Sequence, residues 1–253
     1  MAYGRGRPAW TPSLIQTALW LDAADANTIT LNGSTVSQWN DKSGSGRNAT
    51  QNAAANQPVY STNSINSLSA VTFDGINDFL NLPDNTIPSG DSSYSMFVVV
   101  KWNSTVPQFV IGTGLSAGAA TDNYLAAIVT TPAIFGSWWQ NYGLQISSIA
   151  LGVEMYGAIY DNTISTISGN KNGGSITSGV IAVDRNSATT NNIIGAFSNG
   201  ATPLNGALAE TIITNNAITT ADRQRLEGYL AWKWGFEANL PSGHPYKLLP
   251  PTV

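Results

Sequence analysis

Short apolar runs, broken by Gly, Asn, Asp and Pro, follow one another along most of the chain. Leu19–Leu21 and Val36–Asn40 read as strands, and the Asp41–Asn48 stretch ends the second. Ala70–Phe73 and Phe79–Leu82 flank Asp74-Gly75-Ile76-Asn77-Asp78, a run of turn formers that predicts a hairpin. In Tyr94–Trp102, Phe97-Val98-Val99-Val100 is apolar at successive positions, which predicts a strand covered on both faces. Phe109–Gly112, Leu125–Val129, Ile134–Trp139, Leu144–Ile149, Val153–Tyr160 and Thr163–Ser168 read as further strands. Gly169–Gly174 reads as a turn, and Asn192–Phe197 and Ala207–Thr214 complete the set. Many short strands at this spacing predict an all-β sandwich or barrel.

One segment has a different period. Leu226, Tyr229, Leu230 and Trp234 fall at helical spacing in 219–234. Thr219 with Asp222 resembles a capping box with Asp in the Glu role, and Gly235 stands where a helix-ending glycine belongs. The helix is expected as a lid over the edge or end of a sheet, anchored by Trp232 and Trp234. Prolines 241, 245, 250 and 251 mark 236–253 as a tail over the surface. Residues 1–14 read as an extended arm, and 15–253 as a single domain without internal repeat or linker.

Composition narrows the function classes. Charged residues make up 10% of the chain, well under the usual quarter or so, and Asn, Ser, Thr and Gly take their place. The formal net charge is −4 and no run of Lys or Arg occurs, so nucleic-acid binding lacks electrostatic support. Arg5 and Arg7 form the one basic cluster and could dock on an acidic protein neighbour. The absence of cysteine excludes disulfides, thiolate metal sites and Cys nucleophiles. No apolar run reaches membrane-spanning length, and no signal-peptide pattern opens the chain.

Two blocks carry a resemblance. The first comprises Leu19-Trp20-Leu21-Asp22-Ala23-Ala24-Asp25, Trp39-Asn40-Asp41-Lys42-Ser43-Gly44, Asn48-Ala49-Thr50 and Phe73-Asp74-Gly75-Ile76-Asn77-Asp78-Phe79-Leu80. The second runs from Leu204-Asn205-Gly206-Ala207-Leu208-Ala209-Glu210 through 221–235 to Leu240-Pro241-Ser242-Gly243-His244-Pro245-Tyr246. Together they resemble laminin G-like jelly-roll domains of the concanavalin A-like lectin/glucanase superfamily, of the type found in phage and bacterial surface proteins. The resemblance implies a two-sheet antiparallel β-sandwich, a jelly roll, with one C-terminal helix. It implies less about the ligand, because that superfamily hosts lectins, glycosidases, adhesins and structural modules.

The candidate chemistry favours binding over catalysis. Glycoside hydrolysis needs two carboxylates across a cleft. Only Glu154, Glu210, Glu227 and Glu237 are glutamates, and none has an acidic residue two positions away. Glu154 is the strand candidate and stands alone. His244, the only histidine, sits between Gly243 and Pro245, and a tail contact is the expected role. Asp74, Asn77 and Asp78 form the densest group of oxygen ligands for calcium, with Asp22, Asp25 and Asp41 second, although ordinary turn chemistry accounts for both. No other cofactor is expected. Trp138, Trp139, Gln140, Asn141 and Tyr142 combine aromatic faces with amides, the mixture that stacks on sugar rings and bonds their hydroxyls. On a strand, the adjacent Trp138 and Trp139 take opposite faces.

These readings predict a phage or phage-like virion surface protein, made in the host cytoplasm and displayed as head decoration, head fibre or tail-fibre tip. It would bind a host-surface glycan and contact other virion proteins through the arm, with homo-oligomers as a further expectation. Many copies would raise the avidity of a weak site by roughly two to four orders of magnitude. A purely structural decoration protein is the alternative, and a polysaccharide hydrolase is disfavoured by the missing carboxylates.

Overall fold

The computed structural model describes residues 9–114, 123–128, 134–139, 142–181, 187–197 and 200–253. The strands in chain order are β1 (Thr17–Asp22), β2 (Ile29–Asn32), β3 (Thr35–Trp39), β4 (Ala49–Thr50), β5 (Val59–Ile65), β6 (Leu68–Asp74), β7 (Leu80–Leu82), β8 (Tyr94–Trp102) and β9 (Gln108–Thr113). They continue as β10 (Asn123–Ile128), β11 (Ile134–Trp139), β12 (Tyr142–Ser148), β13 (Gly152–Asp161), β14 (Thr166–Lys171), β15 (Thr177–Val180), β16 (Asn192–Ile194) and β17 (Asn205–Thr214). Helix α1 (Thr220–Trp234) follows.

All pairings are antiparallel, and the strands form two layers. In one, β1 and β6 lie end to end along β17, followed by β8, β13, β14 and β15. In the other, β4, β7, β16, β9, β10, β11 and β12 follow in order. β3, paired to β4 and β5, joins the layers at one side. The expected β-sandwich is the observed fold.

Strand β8 shows why an unbroken apolar run belongs at the centre. Tyr94, Met96, Val98, Val100 and Trp102 point between the layers, where they meet Val110, Ile111, Phe135 and Ile194. Phe97 and Val99 point the other way, into a second cluster under α1 with Trp20, Ile212, Leu226, Leu230 and Trp234. The two-residue period of a strand makes both sets possible, and full burial of each such side chain contributes roughly 1.5–3 kcal/mol. The helix therefore packs on the face of the β1–β17–β8–β13 layer, not on a sheet edge or end as expected. That face is too apolar to be left to water.

Local chemistry sets the ends of α1. Thr219 Oγ1 accepts from Asp222 N at 3.1 Å and donates to Asp222 Oδ2 at 2.9 Å, so the Thr219–Asp222 pair closes through its side chains. Gly235 ends the helix in the left-handed conformation, with φ 71°. Inside the helix, Gly228 permits the tail to cross, because a Cβ there would lie 2.5 Å from Tyr246 Cβ. Thr219→Ala is expected to cost about 1 kcal/mol, seen as a fall of about 2–4 °C in thermal midpoint. An unchanged midpoint would show that the cap contributes nothing.

Four expectations change. β6 and β7 flank the Asp74–Asp78 turn but do not pair as a hairpin: β6 joins β5 and β17, and β7 joins β4 and β16. The Gly169–Gly174 turn begins later, because β14 runs to Lys171, and the 163–165 stretch belongs to the preceding turn. β2, β4, β5 and β15 were not foreseen: β2, β5 and β15 have many exposed positions, and β4 is only two residues long. Residues 9–14 of the expected arm are docked. Ala9 bridges Thr252, Trp10 is buried with its N–H on Pro251 O at 3.1 Å, and Pro12–Leu14 is a 3-10 turn. Residues 1–8, with Arg5 and Arg7, lie outside the described residues. No helix among the described residues is long and apolar enough to cross a membrane.

Candidate functional site

The glutamates account for themselves first. β1 and β17 place Asp22 directly opposite Glu210, two acids side by side under the helix. Lys233 comes down from α1 between them, 2.6 Å from Asp22 Oδ1 and 2.8 Å from Glu210 Oε2. Trp20 Nε1 and Tyr229 OH donate to Glu210 Oε1 at 2.7 and 3.0 Å, and Trp234 Nε1 donates to Oε2 at 2.7 Å. Burial raises the Glu210 carboxyl pKa, Lys233 draws it back, and Asp22 adds to the rise. Four donors on a fully buried carboxylate make a rivet between helix and sheet.

Glu227 plays the same part further along. It is buried on the inner side of α1, where Asn170 Nδ2 and Arg223 Nη1 each lie 2.7 Å from its Oε1. His244 Nδ1 accepts the Tyr246 N–H at 3.2 Å, so its Nε2 carries the hydrogen and donates to Glu227 Oε2 at 3.1 Å. His244 is thus a tail contact, as expected. Glu154 pairs with Lys171 and accepts the Tyr156 hydroxyl. Burial, and then Glu154 itself, push that hydroxyl far above its ordinary pKa. The four most prominent surface grooves among the described residues each have at most one acidic side chain in their lining.

The aspartate clusters are turn and ion-pair chemistry. Asp74 Oδ1 accepts the N–H groups of Ile76 and Asn77 at 2.7 and 3.2 Å, and Asp78 Oδ2 accepts that of Asp74 at 2.9 Å. Asn77 Nδ2 donates to Ala55 O at 2.9 Å. Burial raises the Asp78 pKa. In the second cluster the Lys42 ammonium stands where a cation would, 2.8 Å from Asp22 and 2.9 Å from Asp25. Its hydrogen bond holds the Asp25 carboxyl below its ordinary range. Asp41 binds backbone instead, accepting Trp20 N at 2.9 Å and Ser43 N at 2.8 Å. Among the described residues, no group of three or more His, Asp or Glu side chains is placed to hold a metal ion.

The aromatic stretch lies on the opposite layer. The register sets Trp138 level with Tyr124 and Gly143, and Trp139 level with Asn123 and Tyr142. Gln140 and Asn141 lie outside the described residues. The scaffold beneath is firm. Phe135 stacks on Tyr156 with centroids 3.9 Å apart, Ser137 Oγ is 3.3 Å from Tyr94 OH, and Leu144 and Ile146 are buried in the interlayer core. On β12 the alternate positions Gly143 and Gln145 are exposed. Gly143 is level with Trp138 and Gln145 with Gly136, so β12 opens to solvent at both levels.

A rigid antiparallel sandwich, with a helix riveted to one face and a β10–β12 surface on the other layer, defines the class to which this chain's fold belongs. The fold is similar to domain 4 of AbnA, a GH43 extracellular arabinanase from Geobacillus stearothermophilus, solved in complex with arabinotriose. The TM-score is 0.60 at 16% identity, over 84% of this chain and 98% of that one. It is also similar to a mutant GH54 α-L-arabinofuranosidase soaked with 4-nitrophenyl α-L-arabinofuranoside (TM-score 0.58, 16% identity, 89% of this chain and 61% of that one). A third similar structure is an arabinofuranosidase complexed with arabinofuranosyl-α-1,2-xylobiose (TM-score 0.57, 13% identity, 83% of this chain and 58% of that one). The chain thus spans less than two thirds of the latter two. No protein-family model and no curated protein matches it.

Proposed function

We propose that this chain is a non-catalytic carbohydrate-binding sandwich, and that it works on the surface of a phage or phage-like particle, as head decoration, head fibre or tail-fibre tip. The observation that carries the binding reading is the register of β10–β12, which sets Trp138 level with Tyr124 and the exposed Gly143, with the exposed Gln145 two positions along β12 from Gly143, opposite Gly136. Aromatic and amide residues at neighbouring register positions suit a sugar ring, whose C–H face stacks and whose hydroxyls bond. The similar AbnA domain was solved with arabinotriose, and the two larger similar proteins with arabinofuranosyl ligands, in keeping with this use of the fold. Binding without catalysis is favoured because Glu154, Glu210 and Glu227 are engaged in ion pairs that hold the fold together. The laminin G-like resemblance of the two sequence blocks and the sparse charge of the chain support a surface-display role.

The test is a glycan array with the purified protein displayed multivalently, with Trp138→Ala and Trp139→Ala beside it. Trp138→Ala is expected to fold and to weaken binding about tenfold, about 1.4 kcal/mol. A folded Trp138→Ala variant with undiminished binding would remove the patch from the site. No binding by the intact protein to any glycan would overturn the reading itself.

A further inference from the structure

A second groove lies at the other end of β12, where that strand, the β14–β15 turn and the 3-10 turn Glu237–Asn239 converge around about 420 Å³. Lys171, one half of an ion pair, forms its floor. Lys171 Nζ contacts the buried Glu154, whose other oxygen accepts the Tyr156 hydroxyl. Lys171 also donates to Ser148 O at 3.0 Å. An ammonium has three donors, so one remains for the groove. Asn172 is pinned in a left-handed turn, with φ 50°. Its backbone N–H is held by Met155 O and its Oδ1 by Met155 N, both at 2.8 Å. That leaves its Nδ2 without a hydrogen-bond partner among the described residues. The hydroxyls of Ser147, Ser175 and Thr177 and the Asn239 amide line the same groove, and none is hydrogen-bonded to another described residue.

Three features of this arrangement select a ligand. The charge at the floor is balanced, because Glu154, buried beside Lys171, pairs with its ammonium. A second cation would meet Lys171, and an anion would find that ammonium already paired, so neither is favoured. The rim supplies both donors and acceptors, which is what an alcohol hydroxyl, itself donor and acceptor, requires. The volume falls within the range of roughly 300–1,000 Å³ that small-molecule sites occupy, and the two turns that form the walls are tied by backbone hydrogen bonds, so little ordering is needed on binding.

We infer that this groove is a second saccharide site, selective for an uncharged glycan, separate from the β10–β12 patch and independent of it. A chain bearing two such sites engages a polymer at two points, and the second contact then forms at high effective concentration.

The test is a titration of the whole protein with neutral trisaccharides (arabinotriose, xylotriose, maltotriose and mannotriose) beside trigalacturonate, followed by backbone amide shifts. Shifts at Lys171–Thr177 and Asn239 with at least one neutral sugar are expected. The exposed double substitution Thr177→Ala with Asn239→Ala should weaken that binding about tenfold, whereas Trp138→Ala should leave it unchanged. Ser175→Trp, which fills the groove without touching the core, should abolish it. Shifts confined to β10, β11 and the Tyr142–Gln145 end of β12 overturn this site and leave the proposed function standing. Equal or stronger binding of trigalacturonate, unaltered affinity in the double variant, or no shift at Lys171–Thr177 with any neutral sugar overturns it as well.

Discussion

Glu210→Gln lowers the thermal midpoint by about 10 °C. Every hydrogen-bond partner of this carboxylate is a donor: two indoles, a phenol and an ammonium. A carboxamide keeps the shape but offers one accepting atom, and turns its N–H groups on groups that also donate. Lys233 would then be balanced by Asp22 alone. Breaking a buried pair in this way costs about 3–5 kcal/mol, and each kcal/mol moves the midpoint of a chain this size by about 2–4 °C. Differential scanning calorimetry measures the shift, and Glu237→Gln, on the partly exposed turn after the helix, should change the midpoint by about 1 °C or less. If Glu210→Gln matched the parent in stability, the rivet would be ornamental.

The second large effect is expected at Gly195. This residue follows β16 with φ +84°, gives its N–H to Val110 O at 2.8 Å and accepts Leu204 N at 2.7 Å. A Cβ there would sit 2.0 Å from Phe73 Cε1, and Phe73 is a fully enclosed ring of the interlayer core. Gly195→Ala combines a left-handed backbone, about 1–3 kcal/mol, with overpacking of a similar size. Gly33→Ala isolates the first contribution, since Gly33 has φ +66° and nothing within 4 Å of the added carbon. Urea midpoints of the two variants therefore separate strain from clash. Equal losses would mean that Phe73 moves aside freely.

What could be read from the chain follows a physical divide. Tyr94–Trp102 was legible to the residue because both faces are buried and the apolar run Met96–Val100 shows it. The helix was legible because Thr219, Asp222 and Gly235 are local signals acting within a few residues. The hairpin at Asp74–Asp78 misled for the complementary reason. Its turn chemistry is real, with Asp78 bonding Asp74 N, yet the choice of strand partners belongs to β17 and β16, more than a hundred residues away. The rivet was hidden in the same way, because Trp20 and Glu210 meet across a separation of 190 residues. A signal was present all the same: a lone acid in the apolar run Ala207-Leu208-Ala209-Glu210-Thr211-Ile212, and a lone base between two tryptophans at 232–234. A charge that survives in such surroundings implies a partner of opposite sign. The aromatic stretch was legible as a strand and as a mixture of residue types. Its register against β10 and β12 came only with the fold.

The pairing of Ala9 with Thr252 has a mechanical consequence. The first and last described segments run antiparallel, so a force that draws them apart acts across the bridge, not along it. Such a load opens contacts one at a time, as a zipper does, beginning with Ala9–Thr252 and Trp10–Pro251 and reaching next the His244–Glu227 latch. The β8–β17 and β8–β13 ladders, held on both faces, bear none of it until those contacts have opened. Anchored through this junction, the sandwich would yield first at its tether and keep its sheet surfaces intact under tension.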